Sequence, residues 1–168
     1  GRKSEMSAAQ ANKLTQFVEQ GGGIVALHSA NDSFSDNDTY LKLIGSSFIT
    51  HGPNLEFDFR PTDPAHPVVA RTDAFKLNDQ IYLIKPLADF APFAVAHWQG
   101  KDVPVAYQRN VGGGKVIYIA PGHDEKTYGN RYYQRMLERA VRVASGETFD
   151  RKFTAGILVY GGAFNMGK

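Results

Sequence analysis

The chain has 168 residues, enough for one globular domain whose core needs no disulfide or metal staple. Nineteen Lys+Arg against 17 Asp+Glu leave a net charge of +2, too weak a field to imply a nucleic-acid partner. Cysteine is absent, which excludes disulfide frameworks, thiolate zinc sites, CxxC redox chemistry and cysteine nucleophiles together. Chemistry must therefore run on histidines, carboxylates, hydroxyls or a cofactor. No window approaches the about 18 consecutive apolar residues of a membrane helix, and no basic-then-apolar leader follows Gly1. A soluble chain without a membrane partner is expected and a cytoplasmic address is favoured; because the first residue is not Met, export stays open.

In chain order, Ala11, Leu14, Phe17 and Val18 fall at helical spacing, and Ser7 with Gln10 forms an S-x-x-Q capping box, so Ser7 to Gln20 reads as a helix closed by Gly21 to Gly23. Ile24 to Leu27 is a short unbroken apolar run, the pattern of a strand covered on both faces. It ends at His28 and a polar loop from Ser29. A short helix is expected over Thr39 to Ile44, with Asp38 as cap and Gly45 as stop. Strands are expected at Leu55–Arg60, Gln80–Ile84, Phe93–His97, Val103–Arg109 and Lys115–Ala120, several with one wet face. Gly112 to Lys115 reads as a hairpin turn, since the GK[ST] ending and following helix of a phosphate loop are missing. Arg131 to Ser145 carries an apolar stripe from Met136 to Ala144 and ends at Gly146. Its other face bears Arg131, Arg135, Arg139 and Arg142, for which a solvated helix surface is the ordinary reading because Glu138 interrupts it.

The histidines are the best candidates for chemistry. His28 and His123 both stand at strand ends, where open α/β sheets form their ligand crevice, and two such residues can converge as neither would from mid-strand. His51 lies in a segment expected as a loop able to fold over the same crevice. Asp79, entering a strand, is placed to orient a histidine or bind a hydroxyl, or simply to cap the strand entrance. His66, boxed between Pro64 and Pro67, and His97, beside Trp98, are weaker candidates. Three imidazoles can hold zinc, yet no HxH or HExxH spacing supports it, and metal content stays open. Ser29 lacks the flanking glycines of a nucleophile elbow.

The ordered series Phe17 to Gly23 into Ile24–His28, Tyr40 to Phe48 with Gly45, His51, His66-Pro67, Asp79 to Tyr82, Gly113 to Tyr118 and Gly122-His123 resembles the trehalose-utilisation (ThuA-like) family over about Ser4 to Gly146. The resemblance implies an α/β fold, flavodoxin-like and related to class I glutamine amidotransferases, with a mostly parallel sheet flanked by helices and antiparallel additions. It also implies a role in carbohydrate metabolism, notably of 3-keto disaccharides. In that superfamily the strand-end bend carries a cysteine nucleophile; here the matching stretch carries His28, so glutaminase chemistry is excluded. The family's Asp-Glu-x-Tyr motif stands here as Asp79-Gln80-Ile81-Tyr82, with a glutamine that cannot titrate.

Family members open with strands that precede the region matching Arg2, so the sheet is expected to expose an edge. After a connector over 147–154, residues 155–168 read as a strand entering a glycine-rich turn. Tyr160 to Lys168 resembles the first turn of Gfo/Idh/MocA-like sugar oxidoreductases, with Gly161, Gly162 and Gly167 at the dinucleotide pyrophosphate. The resulting expectation is a ThuA-like domain over 1–146 that acts on or binds a small carbohydrate, with His28, His51, His123 and Asp79 as acid/base and supporting groups. The alternative is a non-catalytic sugar-binding scaffold fused to or associated with a sugar dehydrogenase, NAD(P) being implied only through that partner.

Overall fold

The computed structural model describes residues 6–147 and the strand 157–161. In order, the elements are α1 (Ala8–Glu19), β1 (Gly23–His28), a 3-10 turn (Ser29–Asn31), α2 (Asp38–Ile44), β2 (Ser46–Pro61), β3 (Phe75–Pro86), β4 (Ala91–Trp98), β5 (Lys101–Val111), β6 (Gly114–Ile119), α3 (Glu125–Tyr128), α4 (Arg131–Ala144) and β7 (Ile157–Gly161). The described strands form one seven-stranded sheet in the order β3-β2-β4-β5-β6-β1-β7. Among the described residues no helix is long and apolar enough to cross a membrane.

The fold is a mixed α/β sheet, and the expectation of a mostly parallel sheet needs correction. Only β6-β1 and β1-β7 pair in parallel. The β2-β3, β2-β4, β4-β5 and β5-β6 pairs are antiparallel. The physical reason lies in the connections: β4 to β5 and β5 to β6 are joined by turns too short for a crossover, and parallel pairing needs about a dozen connecting residues. The Gly112-Gly113 turn closes β5 onto β6 at the pair Val111↔Gly114, as expected of a hairpin. β1 is buried at all six positions, in agreement with its unbroken apolar run. Its outer edge is not bare: β7 lies along it, from Ile24↔Ile157 to His28↔Gly161. The strand read as opening a dinucleotide-binding unit thus stands at the edge of this same sheet. Gly162 and Gly167 lie outside the described residues.

Local chemistry fixes the helices. Ser7 and Gln10 close the capping box that starts α1. α2 is capped by Asn37 rather than Asp38, since the Asn37 side chain accepts from the Tyr40 amide. α3, absent from the sequence reading, is a single turn capped by Asp124 and too short to show periodicity. α4 packs on β1 and β6 through Tyr133, Met136, Ala140, Val143 and Ala144.

Four large tyrosines, Tyr40, Tyr107, Tyr118 and Tyr133, are wholly buried, and each phenol donates to a carbonyl. The acceptors are Ala30 (2.7 Å), Ile44 (2.9 Å), His28 (2.8 Å) and Pro121 (2.7 Å). Each ring adds apolar burial, while its hydroxyl, costly if left unpaired, ties a connecting segment to the core. Three of those carbonyls lie in the segments leaving β1 and β6, so the core itself braces the sheet end where His28 and His123 stand.

The approach of α4 to β1 is close enough that a Cβ on Gly23 would lie 1.9 Å from the Ala144 carbonyl oxygen. Gly23→Ala is therefore expected to cost about 2–3 kcal/mol by forcing helix and strand apart. Urea unfolding checks this, through a lower midpoint at unchanged slope.

Candidate functional site

β1 delivers His28 to a bend with φ 48° and ψ −115°, a conformation that costs a non-glycine residue about 1–3 kcal/mol. Three bonds hold it there. The Tyr118 phenol donates to the His28 carbonyl at 2.8 Å, His28 Nδ1 lies 3.0 Å from the Ala120 carbonyl oxygen, and the Tyr82 hydroxyl lies 3.0 Å from Nε2. A sharply bent strand-to-helix turn of this kind is how nucleophile elbows lift a side chain above the sheet. Here the side chain lifted is an imidazole.

The hydrogen bonds fix the tautomer. Ala120 O can only accept, so neutral His28 carries its proton on Nδ1 and leaves the Nε2 lone pair as an acceptor. The Tyr82 hydroxyl donates to that lone pair, and His123 Nδ1 stands 3.4 Å from it. His28 is almost wholly buried. Its pKa lies below the ordinary 6.5, chiefly because burial penalises the imidazolium; the nearby His123 and His51 push it the same way, against the Ala120 bond and the Asp79 charge.

His51 does not sit in a loop. It lies within β2, opposite Tyr82 in the β2-β3 register, between two bulges that interrupt that ladder. The sequence reading placed the strand's start nine residues late because Gly52 and Pro53 look like breakers, whereas bulges accommodate both. The His51 ring stacks on Tyr82 at 5.7 Å between centroids. Its Nδ1 lies 2.7 Å from the Gly52 carbonyl oxygen, so the neutral ring again exposes Nε2 as an acceptor. Among the described residues that nitrogen has no partner.

Asp79 is fully buried on β3, and it does not cap a strand entrance. Its Oδ2 accepts from the amides of Gly122 (2.7 Å) and His123 (3.0 Å) and from the Thr127 hydroxyl, while Oδ1 accepts from the Gln80 amide. The carboxylate thus pins the segment after β6 to β3 and holds His123 beside His28, ring centroids 5.3 Å apart. Gly122 completes the fit: at φ 139°, a Cβ there would meet the Tyr133 hydroxyl at 2.9 Å and the Tyr128 hydroxyl at 3.1 Å.

His28, His51 and His123 therefore come from β1, β2 and the segment after β6 into one cluster: His28 and His51 both pack on Tyr82, a residue with no role in the sequence analysis, and His123 stands beside His28. Tyr82 lies 4.4 Å from the His28 ring and 4.7 Å from Phe48, centroid to centroid. The one signal for it was its place closing the Asp79-Gln80-Ile81-Tyr82 motif. His66 and His97 stand elsewhere. His66 stacks on Phe93 with Nε2 3.1 Å from Gln108 Oε1, and exposed His97 pairs with Asp102. Among the described residues no three His, Asp or Glu side chains are grouped to hold a metal ion.

Residues 2–144 match the family model described as trehalose utilisation. The chain belongs to the ThuA family. Among solved structures it is similar to a putative ThuA-like protein from Parabacteroides merdae, at 16% identity and TM-score 0.75, over 90% of this chain and 71% of that one. A second putative ThuA-like protein, from Bacteroides uniformis, gives 19% identity and TM-score 0.71, over 88% and 68%. The β-galactosidase of Bacillus circulans shares the fold over 80% of this chain but 20% of its own, at 15% identity and TM-score 0.59. No curated protein matches the chain.

Two outcomes are expected. Asp79→Asn places an amide N–H against donors that need an acceptor, which should cost about 3 kcal/mol and speed hydrogen exchange at the Gly122 and His123 amides. His28 and His66 both have lowered pKa values, chiefly through burial. The unfolded chain thus binds protons before the folded one does, and stability present above about pH 6.5 should fall as pH drops below it. Urea unfolding between about pH 8 and pH 5 measures this, and His28→Gln should flatten the slope.

Proposed function

We propose that this ThuA-family domain acts on a carbohydrate, with His51 and His123 as the proton-transferring groups and His28, Tyr82 and Asp79 positioning them. The observation that carries the reading is the meeting of three histidines from three separate chain segments, His28 and His51 on Tyr82 and His123 beside His28. Two of them have Nδ1 bound to a backbone carbonyl, so their Nε2 lone pairs are committed as acceptors in the neutral state. His28 is too buried to meet substrate, so its lone pair orients Tyr82 or His123, whereas exposed His51 and His123 face outward. The rings of Phe48, His51 and Tyr82 beside neutral nitrogens suit a polyol, which presents C–H faces and hydroxyls together. The trehalose-utilisation family and the fold shared with a β-galactosidase both support a sugar.

A 3-keto-glycoside fits this chemistry well. His51 Nε2 takes the proton from the carbon next to the ketone, the C–H electron pair becomes the enolate, and His123, entering the step as the imidazolium, gives its outward Nε2 proton to the oxygen and returns to the neutral ring. The parallel β6-β1-β7 trio with its bend at His28 supports descent from a flavodoxin-like, amidotransferase-like scaffold whose cysteine chemistry is gone.

A second reading rests on the burial of His28 and the filling of its lone pair: a sugar-binding module that presents substrate to a Gfo/Idh/MocA-like, NAD(P)-dependent partner. The two readings separate in one experiment. The protein is incubated with 3-keto-disaccharides and followed by NMR, alone and as His51→Ala and His123→Ala. The catalytic reading expects turnover, lowered about 100-fold or more in each variant with the fold intact. Binding in fast exchange with no turnover selects the module, and neither binding nor turnover across keto and unoxidised sugars overturns both.

A further inference from the structure

The arginine face of α4 is not simply solvated. Where α4 faces the segment leading into β3, a groove of about 280 Å³ opens between Arg71, Thr72, Phe75 and Lys76 on one wall and Tyr132 and Arg135 on the other. Arg139 ties the two walls together: its guanidinium donates to the Ala70 carbonyl at 2.7 Å and to the Thr72 hydroxyl at 3.2 Å. That anchor fixes the turn closed by the Thr72 amide on Val69 O, in which Arg71 is held at φ 54°. The floor is aromatic, with Phe75 stacked on Tyr132 at 5.5 Å and the Arg131 guanidinium 4.8 Å over the Tyr132 ring.

The basic side chains in and beside this groove are unevenly paired. Arg142 is paired with Glu138, and Lys76 with Asp58. Arg71 and Arg135, both exposed, have no hydrogen bond or ion pair among the described residues. They also crowd Arg139, whose pKa is lowered first by burial and then by the Arg135 and Arg71 charges, with Glu138 opposing. Two unpaired guanidinia across a concave gap, with a third anchored nearby on Ala70 and Thr72, form a cradle for a compact dianion. Asp73 on the rim is the opposing charge and disfavours a flat polyanion lying across the opening.

We propose that this groove binds a phosphate group, free or as a monoester, between Arg71 and Arg135. It is separate from the histidine cluster: Phe75 precedes Tyr82 by seven strand positions, about 23 Å along β3.

The test uses the whole chain and calorimetric titration with inorganic phosphate, a hexose phosphate and the unphosphorylated hexose, with sodium chloride matching ionic strength. Saturable one-site binding of phosphate or its ester, but not of the hexose, is expected, and a hexose phosphate that binds more tightly than phosphate identifies the ester as the natural source. Arg71→Ala and Arg135→Ala should each weaken binding about 10-fold or more, while Lys101→Ala, which removes an equal charge at the start of β5, outside the groove's lining, should not. Since both arginines are exposed, the variants should unfold like the parent without ligand, so lost binding is not lost fold. Non-saturable binding, equal loss in Lys101→Ala, or no loss in the arginine variants overturns the proposal. Turnover at the histidine cluster is read separately and bears on neither result.

Discussion

The Asp79 carboxylate is the constraint on which the site depends. A buried carboxylate survives only if its lone pairs are filled, and here they are filled by amides and a hydroxyl drawn largely from one short segment, Gly122 to Thr127. That segment leaves β6 in the parallel part of the sheet, while Asp79 sits on β3 at the far antiparallel edge. The carboxylate therefore bridges the β3 edge to the segment leaving a strand four places along the sheet, which requires the sheet to coil strongly. His123 stands beside His28, and Tyr82 reaches His28 Nε2, because that bridge is closed. Burial that would otherwise be costly thus becomes a source of register.

The same economy governs the protons. Backbone carbonyls, which can only accept, choose the tautomers of His28 and His51. A carbonyl is fixed by the fold and does not titrate, so the direction of each lone pair is insensitive to pH until the ring itself is protonated. Burial delays that protonation for His28. The result is a buried histidine whose neutral form is favoured and two exposed ones beside it, a difference set by depth rather than by residue type.

Much of this was legible in the sequence, though not evenly. Helices α1 and α4 and strand β1 announce themselves through capping, periodicity and an unbroken apolar run, all local signals. The strand-end positions of His28 and His123 follow from them. Strand direction is not local: nothing in β4 or β5 distinguishes antiparallel from parallel pairing except the shortness of their connections, and the resemblance to a parallel family outweighed that cue. His51 looked like a loop residue because Gly52 and Pro53 flank it, whereas the bulges that absorb them exist only once β3 is paired. Tyr82 was hidden for a related reason. On an ideal strand, residues three apart point to opposite faces, so Asp79 and Tyr82 do not read as serving one site.

Arg71 and Arg135 show the converse. Along the sequence, the arginines of α4 read as a solvated stripe, because helical spacing says nothing about what stands opposite. The turn before β3 supplies the missing wall, and Arg139 spends its hydrogen bonds on holding that turn rather than on solvent. A guanidinium used as a structural clamp fixes a third positive charge beside those of Arg71 and Arg135, and like charges kept close without a counterion raise the free energy of the empty groove. An anion that neutralises them gains what that repulsion costs, so the clamp that stabilises the turn also creates the driving force for binding.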